Sequence, residues 1–147
     1  MNKLVANFIV KSIAPSVSLH YEEDSSTCFD HDLKAVIIGD DFEDDCGFMR
    51  HIKYNHNFAQ AYDYSINLWS ILHELGHYFV GDDGVVSEEE AVQYAFCAMV
   101  PKEIVANNPY LQNVYFDIEA EFKATEWAID WIVSHPRLAK IYNRLVK

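Results

Sequence analysis

Residues 66–80, INLWSILHELGHYFV, constrain this chain more than any other stretch. Ile66, Leu68, Trp69, Leu72, Leu75, Gly76 and Phe79 recur at helical spacing, and they cover so much of the cylinder that the helix has to lie mostly inside the protein. The pattern starts after Ser65 and ends at VGDDG, residues 80–84. Within this apolar helix stand His73, Glu74 and His77. Two imidazoles and a carboxylate are costly to bury unless each finds a partner. Gly76, in the same turn, permits another backbone or side chain to approach closely.

The spacing of the three polar residues gives them separate roles. Residues four apart share one face of a helix, so His73 and His77 can present ring nitrogens to a single tetrahedral metal. Glu74 projects about 100° further round the cylinder, where it can reach a water at the metal without itself being a ligand. HExxH is the pattern of zinc-dependent hydrolysis: the metal acidifies a water, and the glutamate takes its proton and returns it to the leaving amine. Two imidazoles and a carboxylate form a nitrogen and oxygen donor set that suits Zn2+ better than magnesium or calcium.

The rest of the chain supplies a scaffold. With 147 residues it fits one domain, 1–147, with a single core. Its opening, MNKLVANFIVKSIAPS, has an apolar run too short for an export signal and is read as an amphipathic helix ending at Pro15, with Leu4, Val5, Phe8 and Ile9 facing inward. Residues 16–23 alternate Val17, Leu19 and Tyr21 as a half-buried strand does, and residues 33–41 carry a β-branched apolar run stopped by Gly39. Two or three strands are expected, with residues 23–27 and 30–32 as turns. From Asp40 to Tyr64 no period emerges, which predicts a long irregular connection. Ser87 and Glu90 are placed for a capping box opening a helix from Glu88 to Val100. After residues 107–113, read as a connection, helices are predicted from Asp117 to Ser134 and from Pro136 to Val146. The fold class that follows is α+β, a small twisted sheet followed by a helical zincin-like core around the HExxH helix.

Charge and cysteine usage narrow the partners. Eleven basic against 23 acidic residues give a formal charge of -12, which opposes direct contact with nucleic acid. No stretch approaches the roughly 18 apolar residues of a membrane span, so no membrane partner is expected. Cys28, Cys46 and Cys97 are odd in number and form no CxxC pair, which suits reduced thiols and a cytoplasmic protein. The acidic run DDFEDD, 40–45, lacks the ligand alternation of a calcium loop and reads as a solvated loop. His31, His51 and His56 precede the motif helix and are read as surface histidines, with a hydrogen bond to the reacting group as the other role open to them. Trp69, Trp127 and Trp131 read as core. No serine or cysteine nucleophile context and no phosphate-binding glycine loop is present.

ILHELGHYFV followed by SEEEAVQYAFCAMVPKEIV resembles the ImmA/IrrE-type zinc metallopeptidases, whose HELGH is followed by E-x-x-A-[ND]-x-F-A-x-x-L-L-M-P. Glu88, Ala91, Tyr94, Ala95 and Pro101 keep that spacing over residues 68–105; Val92 and the AMV run depart from it. The resemblance implies a gluzincin-like site with a glutamate as third ligand and, for some members, cleavage of repressors of phages or mobile elements. EFKATEWA, 121–128, repeats the E-x-x-A-x-x-aromatic-A pattern of EEEAVQYA, 88–95, so two ligand candidates stand open. Glu88 has the downstream proline, but an acidic helix start also accounts for it. Glu121 is followed by Thr125, which can orient a ligand histidine where Val92 cannot. Asp83 is a third, with its glycine displaced to position 81. The expected activity is peptide-bond hydrolysis in an intracellular protein substrate, with His73, His77 and Glu121 or Glu88 on Zn2+ and Glu74 as base. The alternatives are a non-catalytic metal-binding module and a protein-interaction domain with a vestigial site. An intact Glu74 argues against a vestige.

Overall fold

Asn2 opens the first helix, α1 (Lys3–Ile13), by accepting the Leu4 N–H at 2.8 Å. The computed structural model describes residues 2–42 and 47–147, with the backbone alone of Lys102. Of the acidic run predicted as a solvated loop, residues 43–45 lie outside the described residues, as does Cys46. The buried row of α1 is Ala6, Ile9 and Val10, while Leu4 and Phe8, expected inside, face out. Apolar side chains occur on both sides of this helix, and packing against β1 selects which side is buried.

Three short strands follow: β1 (Ser18–Tyr21), β2 (Cys28–Asp30) and β3 (Ala35–Ile38). Their spatial order is β1-β3-β2, with β3 parallel to β1 and antiparallel to β2. All four β3 residues are buried, as a continuous apolar run in a central strand requires. Two aspartates of the acidic run tie down the 23–27 turn: Asp40 accepts the Asp24 N–H at 2.8 Å and Asp41 the Thr27 N–H at 2.6 Å.

The connection expected to be irregular contains a helix, α2 (Phe48–Asn55), which buries Met49, His51 and Ile52. A histidine in the buried row hides the helical period from hydropathy. His51, read as a surface histidine, is buried and stacked at 4.1 Å on Phe116; burial and the neighbouring His56 push its pKa down to about 4. His56 is half-buried between His51 and the Phe122 ring.

Helix α3 (Ile66–Val80) is the centre of the molecule. Ser65 caps it, accepting the Leu68 N–H, and Gly81 ends it at φ 76°, a left-handed conformation that glycine adopts without strain. Leu68, Trp69, Ile71, Leu72 and Leu75 are wholly buried. The Trp69 indole donates to the Ala61 carbonyl at 3.0 Å, so the largest core side chain leaves no polar atom unpaired.

Helix α4 (Glu88–Met99) begins with the predicted Ser87–Glu90 capping box. Two helices that the sequence did not predict follow it, α5 (Lys102–Ala106) and α6 (Pro109–Phe116), and α6 occupies most of the stretch 107–113 read as a connection. Pro109 occupies the first turn of α6, where a missing N–H is harmless, with Asn108 as the cap. The predicted last two helices are α7 (Glu119–Ser134) and α8 (Pro136–Val146).

The architecture is α+β, mostly helical around a three-stranded sheet. Helix α7 lies against α3, with α1 and α8 beside them and β2 across α3. No helix among the described residues is long and apolar enough to cross a membrane. Contact between α3 and α7 is closest at Gly76, where a Cβ would lie 2.5 Å from the Ala124 carbonyl oxygen. That close approach brings the polar faces of the two helices together.

Candidate metal centre

The HExxH residues and Glu121 meet at the α3–α7 interface. His73, Glu74 and His77 are buried on α3, and Glu121 is buried in the first turns of α7. Glu121 Oε2 lies 2.8 Å from His73 Nε2 and 3.3 Å from His77 Nε2. His73, His77 and Glu121 form a group whose ligand atoms all lie within 4.8 Å of one another, and it can hold a metal ion. Ligand bonds of 2.0–2.1 Å in a tetrahedron place donor atoms about 3.3 Å apart, and the two separations from Glu121 Oε2, 2.8 and 3.3 Å, lie near that value.

Each ligand is oriented from behind. The Thr125 hydroxyl donates to the Glu121 carbonyl at 2.9 Å, which leaves its oxygen to accept from His73 Nδ1–H at 3.1 Å. That network assigns the tautomer and turns Nε2 towards Glu121. His77 Nδ1 donates in the same way to Asp82 Oδ2 at 2.8 Å. The other oxygen of Asp82 lies 2.9 Å from His31 Nε2. On Glu121, Oε1 accepts the Tyr94 hydroxyl at 2.9 Å, leaving Oε2 to the imidazoles. The Phe48 ring meets the His73 ring edge-on, with centroids 5.4 Å apart.

The electrostatics follow from this crowding. Burial alone would raise Glu121, but hydrogen bonds from His73 and His77 outweigh it and hold the carboxyl well below its usual range. Burial likewise opposes a charged His77, and Glu121, Glu74 and Asp82 override it, raising the imidazole to about 10. Glu74 has no such hydrogen-bonded compensation. Burial lifts its pKa to about 7 against the pull of the two histidines.

Of the other candidates, Glu88 stands apart. It is exposed in the acidic first turn of α4, in keeping with its role at a helix start, and does not join the group. Asp83 is exposed too and accepts the Val85 N–H at 2.9 Å, a turn contact. Its neighbour Asp82, which in the sequence is only part of a helix stop, supports His77. Tyr94 was visible in the sequence only as an aromatic at a family position, and its partner Glu121 lies on another helix. His31 is half-buried beside Asp82 and not a free surface histidine.

The group opens into a cavity of about 270 Å³ whose lining includes Glu74, His77, Glu121, Cys28 and Phe29. A larger groove of about 930 Å³ shares Thr27, Cys28, Tyr94, Tyr115 and Glu121 with it, so the metal group lies where the two meet. Cys28 is no thiolate here, because burial and the nearby Glu74 push its pKa up to about 11. Comparison of the chain with protein-family models, with curated proteins and with solved structures finds no match in any of the three. Function is therefore inferred from the residues themselves.

Proposed function

We propose that the protein is a zinc-dependent metallopeptidase of the cytoplasm with a zincin-like core. The observation that carries this reading is the convergence of His73, His77 and Glu121, two of which, His77 and Glu121, line a cavity together with Glu74. His73, His77 and Glu121 would hold the ion as three protein ligands, the number found in catalytic zinc sites, whereas structural sites use four. Zinc held there would supply Lewis acidity to a water and to a substrate carbonyl.

The chain's own groups do the remaining work. Thr125 and Asp82 engage Nδ1 of His73 and His77, so Nε2 is the nitrogen that each ring presents to a metal. Glu74, one residue from the ligand pair but outside it, accepts the proton of the attacking water and delivers it to the leaving amine. A peptide substrate is favoured by the sheet. Strand β2 is an edge strand, and Thr27, Cys28 and Phe29 line the cavity beside Glu74, so an extended peptide can add to this edge and bring its backbone past the base. A repressor of a phage or mobile element is the substrate class that the ImmA/IrrE resemblance suggests.

The test is Glu74→Gln, assayed on a library of fluorescence-quenched peptides together with zinc content. The amide keeps the shape but cannot take a proton, so bound zinc is retained while turnover falls by about 10²–10⁴-fold. Undiminished cleavage in that variant removes Glu74 from the mechanism. Zinc-loaded wild-type protein that cleaves no peptide or protein removes the peptidase reading itself.

A further inference from the structure

Leu4 and Phe8 are 79% and 57% exposed on α1, and α8 adds Leu138, Ile141 and Leu145 at 41%, 49% and 44%. The two helices lie side by side: the Phe8 ring meets Tyr142 edge-on at 6.3 Å, and Ser12 Oγ is 2.7 Å from the Tyr142 hydroxyl. Leu4 lies one turn from Phe8, and Ile141 and Leu145 flank Tyr142, so these side chains form one apolar face along the α1–α8 seam. A single exposed leucine needs no explanation, whereas a contiguous apolar face marks a candidate contact surface.

Basic residues concentrate in the same two helices. Lys3, Lys11, Arg137, Lys140, Arg144 and Lys147 are six of the chain's eleven basic residues, and all are exposed. Residues 1–21 and 131–147 contain no aspartate or glutamate, so all 23 acidic residues lie between them. Among the described residues no ion pair joins these six to a carboxylate; Lys3 rests on the Tyr21 ring and Lys11 on the Pro15 carbonyl. The face is also remote from the metal group. Helix α1 packs on β1, at the opposite edge of the sheet from β2, which lines the cavity.

We propose that the α1–α8 face docks the protein on an anionic phospholipid surface, as an interfacial contact that does not span the bilayer. Leucine, isoleucine and phenylalanine bordered by lysine and arginine are the composition of helices that lie in a membrane interface. Protein–protein contacts instead concentrate tryptophan, tyrosine and arginine and are depleted in lysine. A symmetric pairing of two copies through this face would set cation against cation. The net charge of -12 does not forbid the contact. Fields are screened over about 8 Å at physiological ionic strength, so the bilayer feels the facing cations, and the acidic remainder orients the molecule away.

Sedimentation of the full chain with vesicles tests it, using phosphatidylcholine alone and phosphatidylcholine mixed with phosphatidylglycerol. Binding to the mixed vesicles is expected to be at least about tenfold tighter and to weaken as salt is raised. The pairs Lys140→Glu with Arg144→Glu, and Phe8→Ser with Leu145→Ser, change exposed side chains only. Each is expected to lower binding at least about tenfold with an unchanged circular dichroism spectrum. Equal binding of wild-type protein to both vesicle types, or indifference to both variant pairs, overturns the proposal. So does a dimer in solution that Phe8→Ser with Leu145→Ser converts to monomer, which assigns the face to a protein contact. None of these readouts needs the metal, so the outcome is independent of the peptidase reading.

Discussion

Replacing Gly76 by alanine puts the α3–α7 contact under a defined load. The added methyl would lie 2.5 Å from the Ala124 carbonyl oxygen and 2.8 Å from the Ala124 Cα, whereas ordinary contact begins at 3.4 Å. Both atoms belong to the backbone, so no side chain can swing aside, and the helices have to part by the difference between 2.5 and 3.4 Å, about 0.9 Å. In the middle of an unhindered helix, alanine is favoured over glycine by about 1 kcal/mol. Overpacking costs about 1–3 kcal/mol, so the balance is a loss of stability of up to about 2 kcal/mol. The effect on the metal is larger in proportion. Glu121 lies one turn before Ala124 on α7, and metal–ligand distances tolerate only about 0.2 Å, so a displacement of this size draws the carboxylate away from the imidazoles. Urea unfolding of the metal-free variant and a competition titration with zinc measure the two effects separately. A lower midpoint and a zinc affinity reduced by more than about tenfold are expected. An alanine variant that gains the full helix-propensity increment and binds zinc as the wild type does would refute this packing.

Three further outcomes follow from the same geometry. Glu121→Ala is expected to weaken zinc by more than the ~10–100-fold typical of an outer partner, whereas Glu88→Ala leaves the affinity unchanged; parallel competition titrations show the ranking, and the reverse order would transfer the ligand to α4. Thr125→Val keeps shape but removes the acceptor for His73 Nδ1–H, so zinc affinity falls by about 10–100-fold with little change in fold; an unchanged affinity would mean that the threonine does not orient the ring. His77, raised to about 10 in the folded metal-free protein, carries a proton at pH 7 that a metal must displace. Calorimetry in buffers of differing ionisation enthalpy is therefore expected to report about one proton released per zinc at pH 7. Because the folded pKa lies above that of free imidazole, the stability contributed by the His77 proton is complete below about pH 6.5, as long as its partner carboxylates stay ionised, and is lost as pH rises through about 10. A metal-free protein whose stability is flat across that window would contradict the assignment.

The parts of this structure that sequence made legible are those where one residue type admits one use. Ser87 and Glu90 could serve a helix start, and they do. Gly76 invited a close backbone, and Ala124 occupies that place. Thr125 was singled out as a residue able to hold a histidine, and it meets His73 at 3.1 Å. Elsewhere the sequence was ambiguous for physical reasons. Helix α1 is apolar on two sides, and only its neighbours decide that Ile9 and Val10 go in while Leu4 and Phe8 stay out. Helices α2 and α6 bury His51 and Gln112, polar side chains that interrupt a hydropathy period although the helices are amphipathic in space. Asp82 and Tyr94 act through partners far along the chain or in a turn, where spacing carries no signal.

An anomalous-scattering map of crystals of the zinc-loaded protein, collected on both sides of the zinc absorption edge, tests the central claim most directly. One peak is expected between α3 and α7, about 2.0–2.1 Å from His73 Nε2 and His77 Nε2 and about 2.0–2.2 Å from Glu121, with Glu74 outside the ligand set and one position left to solvent. The absence of a peak there, a peak held by Glu88 or Asp83, or a fourth protein ligand closing the site would contradict the account.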